Sequence, residues 1–358
     1  MGLNLSRVFI SVVSLGLVTA ARERVAAGPL PLTGVNIAGG EFWWSGNPKR
    51  KVHPQYGVNY SYPTRSEIDY FAAQGMNFFR YQFLWETLQP KPRTPLDKTD
   101  LARLRASVRF ATSKELVVLL DPHDYARYYG TNIIGASRIT AGDFADFWRR
   151  LALAFKDDSH VWFGLMNEPH NMPTQLWFDD ANDAIAAIRA AGAKNMILVP
   201  GNSWTGAHSW LAENHEGSNA KHILSVKDPL NHWAIEVHQY LDADSSGTHR
   251  SVVRPAVGAD RLRSFVTWCR QHHRRAVLGE FAVPVVPGAE EALNDMLQSM
   301  ERDRDVWLGW TWWAAGARWG NYMFSLEPEH GQDKPQMAWL RPHLHGARLP
   351  AVSAGSAP

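Results

Sequence analysis

One cysteine, Cys269, stands in 358 residues. That excludes an intramolecular disulfide, a cysteine-built zinc cluster and a CxxC redox pair, and it leaves stability to packing. An excess of charge of one sign is missing as well: 37 Lys and Arg against 35 Asp and Glu give a formal net charge of +2. A chain so balanced carries no electrostatic footprint for wrapping nucleic acid, which is not expected as a partner. Residues 34–40, Gly-Val-Asn-Ile-Ala-Gly-Gly, lack the GxGxxG spacing of a dinucleotide-binding turn. No HExxH pair and no series of acidic residues on successive strands marks a metal site. Neither a cofactor nor a catalytic metal is expected. Repeats of about 20 to 50 residues are absent, as is a long Ser/Pro linker, so no appended sugar-binding module is expected.

Extended apolar runs are scarce too. The exception is residues 8–18, which follow Arg7 and precede the small residues Thr19, Ala20 and Ala21. Charged, then apolar, then small is the order of a secretory signal peptide, and the run falls short of the about 20 residues a membrane-spanning helix needs. Residues 1–27 are therefore expected to be a signal peptide, cleaved near Ala21 or after Ala26-Ala27. Residues 28–345 are expected to form one domain, and 346–358, rich in Ala, Ser, Gly and Pro, a loose tail. The mature protein is expected to be extracellular or periplasmic, free of the membrane and monomeric.

What is present is ample core material: 45% of residues are apolar and 20% charged. The 16 Trp exceed what a core needs, which predicts that many of them face a ligand. Short β-branched or aromatic runs occur eight times, at 33–38, 78–83, 116–121, 161–167, 196–200, 233–240, 276–281 and 306–312. Helical periodicity separates most of them, at 66–74, 101–114, 141–156, 175–191, 260–273 and 290–304, with Gly75 and Gly192 placed where a helix ends. Eight βα units predict a closed (β/α)8 barrel of the α/β class, since an open sheet of that size leaves edges to protect. The alternative is a doubly wound sheet, which usually brings the glycine-rich turn that is missing here.

A barrel of this kind places its active site at the carboxyl ends of its strands. There the runs carry polar residues whose burial without partners costs several kcal/mol each, roughly: Arg80, Asp121, His123, Asn167, Glu168, Glu236, His238, Tyr240 and Glu280. Glu168 and Glu280 each follow an apolar strand directly. A glycosidic bond is cleaved with retention by one carboxylic acid that protonates the leaving oxygen and one carboxylate that attacks the anomeric carbon, about 5 to 5.5 Å apart. The nucleophile has to stay ionised, which Arg80 and the Tyr240 hydroxyl favour by hydrogen bonding. Taken singly, a strand-end Glu is more often a solvated or ion-paired carboxylate, and His123 and His238 are open to readings as core histidines or metal ligands. The joint pattern argues for a site.

Arg80, His123, Asn167-Glu168-Pro169, His238, Tyr240, Glu280 and Trp313 together resemble glycoside hydrolase family 5, the retaining β-glycanases once grouped as cellulase family A. Residues 34–39, 201–207, 312–316 and 325–328 resemble its fungal-type endoglucanase branch. The resemblance runs from about residue 33 to 330 and implies a (β/α)8 glycoside hydrolase catalytic domain at 28–345. It implies that Glu168 is the acid/base, Glu280 the nucleophile, and that Asn167 binds the 2-hydroxyl of the sugar being cleaved. By the same resemblance His238 lies near the acid/base, Tyr240 and Arg80 near the nucleophile, His123 on the floor and Trp313 beneath the sugar.

Pyranose rings stack their C–H faces on aromatic rings. Trp204 and Trp319 are the leading cleft candidates, with Trp43 and Trp44 behind them. Arg318 stands where the branch usually has an aromatic residue. The leading expectation is a retaining endo-β-1,4-glucanase acting on cellulose or a related β-glucan polysaccharide or oligosaccharide. The alternatives keep the mechanism on β-mannan, xyloglucan or mixed-linkage glucan, or make the chain a non-hydrolytic carbohydrate-binding barrel.

Overall fold

A computed structural model describes residues 28–43 and 54–348. The expected signal peptide, Trp44 and all but the start of the expected tail lie outside the described residues. The first strand, β1 (Leu32–Ile37), approaches the second, β2 (Phe78–Phe83), so closely at Gly34 that a Cβ there would fall 1.6 Å from the Phe78 carbonyl oxygen. The others are β3 (Val117–Pro122), β4 (Val161–Gly164), β5 (Ile197–Pro200), β6 (Trp233–His238), β7 (Ala276–Glu280) and β8 (Trp307–Ala315). Each pairs in parallel with its predecessor and β8 returns to β1, which closes an eight-stranded barrel.

The helical periodicities all become helices: α1 (Arg65–Ala73), α2 (Lys98–Thr112), α3 (Ala141–Phe155), α4 (Thr174–Ala190), α5 (Val257–Gln271) and α6 (Ala289–Arg302). Thr64 and Thr140 open α1 and α3 in capping boxes with Glu67 and Asp143, satisfying backbone N–H groups that the first turn leaves free. Gly75 and Gly192, at φ 99° and 82°, follow α1 and α4 in the left-handed region that suits glycine. On α3 the buried residues Phe144, Phe147, Trp148, Leu151 and Phe155 form one stripe against the barrel. After β5 and β8 the long helix is replaced by the short helices Asn219–His222 and Pro335–Leu340.

Two strands stop two or more residues short of their apolar runs. Pairing of β4 ends at Gly164 rather than Asn167, and β6 ends at His238 rather than Tyr240. Leu165 and Met166 remain fully buried past the last pair, so the run continues as rim packing, and Glu168 at φ 42° is outside the strand region altogether. The tryptophans also depart from expectation. Trp85, Trp148, Trp177, Trp210, Trp307, Trp310 and Trp312 are fully buried in the core, and Trp43 joins the core instead of the cleft. Three of these indoles find backbone acceptors for their N–H, Leu165 O for Trp148, Pro200 O for Trp177 and Phe324 O for Trp312, whereas the N–H groups of Trp210 and Trp307 are buried unpaired.

Candidate active site

Arg80, fully buried on β2, is the hub. Its Nη1 lies 3.0 Å from both Asp121 Oδ2 and Glu280 Oε1, its Nε 2.8 Å from Glu236 Oε1, and its Nη2 donates to Asn167 Oδ1 at 2.8 Å. Three strands and the loop after β4 thus send polar side chains to one cation. A guanidinium buried at this depth keeps its charge because the carboxylates outweigh the loss of water. Asn36 completes the hub: its Oδ1 accepts from Arg80 and Gln82, and its Nδ2 donates to the Gly279 carbonyl.

Glu280, at the end of β7, is 4% exposed and accepts from Arg80 on one oxygen and from the Tyr240 hydroxyl, at 2.8 Å, on the other. Glu168 reaches the same point from the loop after β4, where its Oε1 lies 2.7 Å from His238 Nδ1. That nitrogen is also 3.6 Å from Glu280 Oε2, and one oxygen from each glutamate together with the histidine nitrogen fall within 4.8 Å of one another. Such spacing would also suit a cation, but Arg80 and Tyr240 already occupy both oxygens of Glu280. Asn167 is buried next to them with its Nδ2 unpaired.

Burial pushes the Glu280 carboxyl above its ordinary value; His238, Arg80 and His123 oppose the shift and Glu168 adds to it. The net upward direction departs from the expectation that Arg80 and Tyr240 hold this group low, because the site removes it from water and sets a second carboxylate beside it. For His238 burial works against the charge, yet Glu280, Glu168 and Glu236 overcome it and push the imidazole up to about 10. Burial, with Glu280 adding to it, raises the Tyr240 phenol well above its usual range, so it remains a donor.

Above this cluster lies a cleft of about 1110 Å³. Its lining includes His123, Glu168, His238 and Tyr240, together with Glu41, Phe42, Trp313 and Trp319 from the ends of β1 and β8 and Trp204, His208, Asp244 and Ser246 from the segments after β5 and β6. Arg80, Asn167 and Glu280 are beneath it. His123 Nδ1 lies 2.8 Å from Asp121 Oδ2, and its ring stacks on Trp313 at 5.4 Å between centroids. Trp319 meets Trp313 edge-on at 5.7 Å and stacks on Tyr322 at 4.3 Å. Trp204 is 46% exposed and lies flat on His170, 4.5 Å away at 8°. Arg318 turns from the cleft, its Nε donating to Ser61 Oγ and its Nη1 to the Val58 carbonyl.

A family model described as cellulase (glycosyl hydrolase family 5) matches residues 35–316. The chain belongs to glycoside hydrolase family 5. Among curated relatives, endo-β-1,4-glucanase B of Aspergillus niger is 38% identical over 299 residues, 83% of this chain and 85% of that protein. Among solved structures, XacCel5A in complex with cellopentaose superposes with a TM-score of 0.84 at 46% identity, covering 88% of this chain and 99% of that one. Pseudomonas stutzeri endoglucanase Cel5A in complex with cellobiose gives 0.80 at 32% identity, over 90% of this chain and 95% of that one.

The family 5 residues singled out in the sequence all meet at this site. Asp121 and Glu236 stand among the strand-end polar residues of the sequence without a role assigned to them, and others were passed over. Glu236 and Asp121 precede His238 and His123 by two positions, and since side chains alternate along a strand, each pair shares the barrel interior; that spacing was the available signal. Glu41, Tyr125 and His170 line the cleft from loops, where no periodicity marks them.

Proposed function

We propose that this chain is an exported, monomeric endo-β-1,4-glucanase that hydrolyses internal bonds of cellulose and related β-glucans with retention of configuration. In this reading Glu280 attacks the anomeric carbon while Glu168 gives its proton to the departing glycosidic oxygen, and the C–O bond breaks. A glycosyl ester to Glu280 and a shortened chain result. Water then gives a proton to Glu168 as its oxygen bonds to the same carbon, the ester bond breaks, and the electron pair returns to Glu280. Arg80 and the Tyr240 hydroxyl stabilise the returning carboxylate, and the unpaired Asn167 Nδ2 is free to donate to the 2-hydroxyl of the reacting sugar.

The observation that carries the reading is the approach of one oxygen of each carboxylate to within 4.8 Å of the other, which fits the separation of about 5 to 5.5 Å that suits retention better than the roughly 6.5 to 9.5 Å of inverting pairs. Binding of a chain of several sugars is supported by the cleft volume of about 1110 Å³, with Glu168 in its lining. The names of the relatives, endo-β-1,4-glucanases, supply the linkage, and the cellopentaose in one neighbour supplies the scale of ligand. Export rests on the order of residues in the first 27 positions, and among the described residues no helix is long and apolar enough to cross a membrane. Glu280→Gln is expected to lower turnover of carboxymethyl-cellulose by about 1000-fold or more while cellopentaose binding by calorimetry persists. Turnover near the wild-type rate would remove Glu280 from its role. A parallel assay on soluble β-glucans and mannans, with product sizes measured, is expected to favour the β-1,4-glucan.

A further inference from the structure

Glu236 is wholly buried beneath the two carboxylates, and the mechanism above gives it no task. Two glycines leave room for it. A Cβ on Gly279 would lie 2.3 Å from its Oε1, and one on Gly164 would lie 3.3 Å from its Oε2. The barrel interior has thus been opened for a charged group where an apolar one is usual. Oε1 lies at ion-pair distance, without hydrogen-bond alignment, 2.8 Å from Arg80 Nε and 3.5 Å from His238 Nε2, so its hold on the histidine is electrostatic. Arg80 has Asp121 and Glu280 as further partners, but among the described residues Glu236 is the one carboxylate at ion-pair distance from His238 Nε2. The other ring nitrogen, Nδ1, faces Glu168 at 2.7 Å and Glu280 at 3.6 Å.

We propose that Glu236 is a positioning residue that keeps a proton on Nε2 of His238, so that the proton Glu168 exchanges is shared with Nδ1 alone. The inference rests on Glu168 being the acid/base. With Nε2–H held, the Glu168–His238 pair binds one further proton across the 2.7 Å gap, as Glu168–OH donating to Nδ1 or as Nδ1–H donating to the carboxylate. That proton leaves with the glycosidic oxygen in the first step and is restored from water in the second. Without the Glu236 charge, the tautomer protonated at Nδ1 competes, and in it neutral His238 no longer accepts from Glu168.

The charged groups around His238 are Glu168 after β4, Glu280 on β7 and Glu236 on its own strand, with Arg80 on β2 bonded to two of them, Asp121 on β3 behind Arg80 and His123 just past β3 beside Asp121. The three carboxylates favour the protonated imidazole and Arg80 disfavours it. Burial also disfavours it, and the carboxylates prevail. Removing one of them lowers the affinity of the pair for its last proton.

Glu236→Gln keeps the shape and removes the charge. The basic limb of kcat/KM against pH for cellopentaose is expected to move down by about one pH unit or more. With 2,4-dinitrophenyl β-cellobioside, whose leaving group departs without a proton, the profile is expected to match that of the unaltered protein. Glu236→Asp withdraws the charge by one methylene and is expected to shift the limb by a smaller amount, which keeps the test open if the glutamine variant does not fold. An unmoved limb in whichever variant folds, or an equal loss on both substrates, would overturn the proposal. Failure of the acid/base reading looks different: Glu168→Ala would then lose the dinitrophenyl substrate as heavily as cellopentaose.

Discussion

Tyr240 shows how much one hydroxyl can decide. Its ring stacks against Phe324 at 6.0 Å, its backbone carbonyl accepts from Arg261, and its Oη donates to Glu280 at 2.8 Å. The phenol is held neutral by burial and by Glu280 itself, so it is a donor throughout the working pH range. Tyr240→Phe keeps the packing and removes one donor from a dry site. A loss on the order of 100-fold in kcat, with KM nearly unchanged, is expected from steady-state assays on cellopentaose. A rise in KM at constant kcat would instead assign the hydroxyl to ground-state binding. At this scale the sequence was legible where a polar residue terminates an apolar strand, as for Glu168 and Glu280. Glu236 was visible as a polar strand residue, but its role was not, since its neighbours in the chain give no hint that glycines on β4 and β7 make space for it. The upward shift at Glu280 was equally hidden, since it comes from burial and from a carboxylate that only the closed barrel brings near.

Among the elements, the loop after β6 has a part that its distance from Glu280 in the chain conceals. Asp242, buried, accepts from the backbone N–H groups of Gly247, Thr248 and His249 at 3.1 to 3.2 Å and so folds the loop, and Asp244, Ser245, Ser246 and Thr248 then line the cleft. Gly247, at φ 70°, rests on Tyr240: a Cβ would lie 2.6 Å from Cδ1 of the ring. Gly247→Ala is therefore expected to displace the tyrosine and lower kcat as Tyr240→Phe does, and the double variant is expected to lose less than the product of the two single losses. Multiplicative losses would separate the loop from the hydroxyl. The turn that carries Trp204 is built on the same principle. Ser203, Trp204 and Thr205 all take positive φ, near 50° to 57°, held by Trp204 N donating to Pro169 O and Thr205 Oγ1 donating to Glu236 O. Six helices and eight strands were readable because each follows one period. These turns follow none, and their conformations come from hydrogen bonds to distant residues.

At the scale of the molecule, closure of the barrel converts eight separated strand ends into one polar cluster, and most of the tryptophans serve the shell around it rather than the ligand. Composition alone could not divide the two uses, since a buried indole and a sugar platform are the same residue type. The shell also carries a cost that depends on pH. Asp180 on α4 is 1% exposed, and burial, with Asp183 and Asp179 adding to it, pushes its carboxyl up to about 7 from an ordinary value of 3.8. Between those values the folded chain holds a proton that the unfolded chain has released, so this group lowers stability progressively as pH rises through the window. Asp180→Asn is expected to raise the thermal unfolding midpoint at pH 8 relative to its effect at pH 4. A difference independent of pH would contradict this assignment.

The closure matters most for the separation of Glu168 and Glu280, and stereochemistry reports on it. Following cellopentaose hydrolysis by proton NMR in the first minutes, before mutarotation mixes the anomers, gives the configuration of the newly formed reducing end. Carboxylates with an oxygen of each within 4.8 Å of the other predict that the β-anomer appears first. Initial release of the α-anomer would mean that water attacks directly and that Glu280 forms no bond to the sugar.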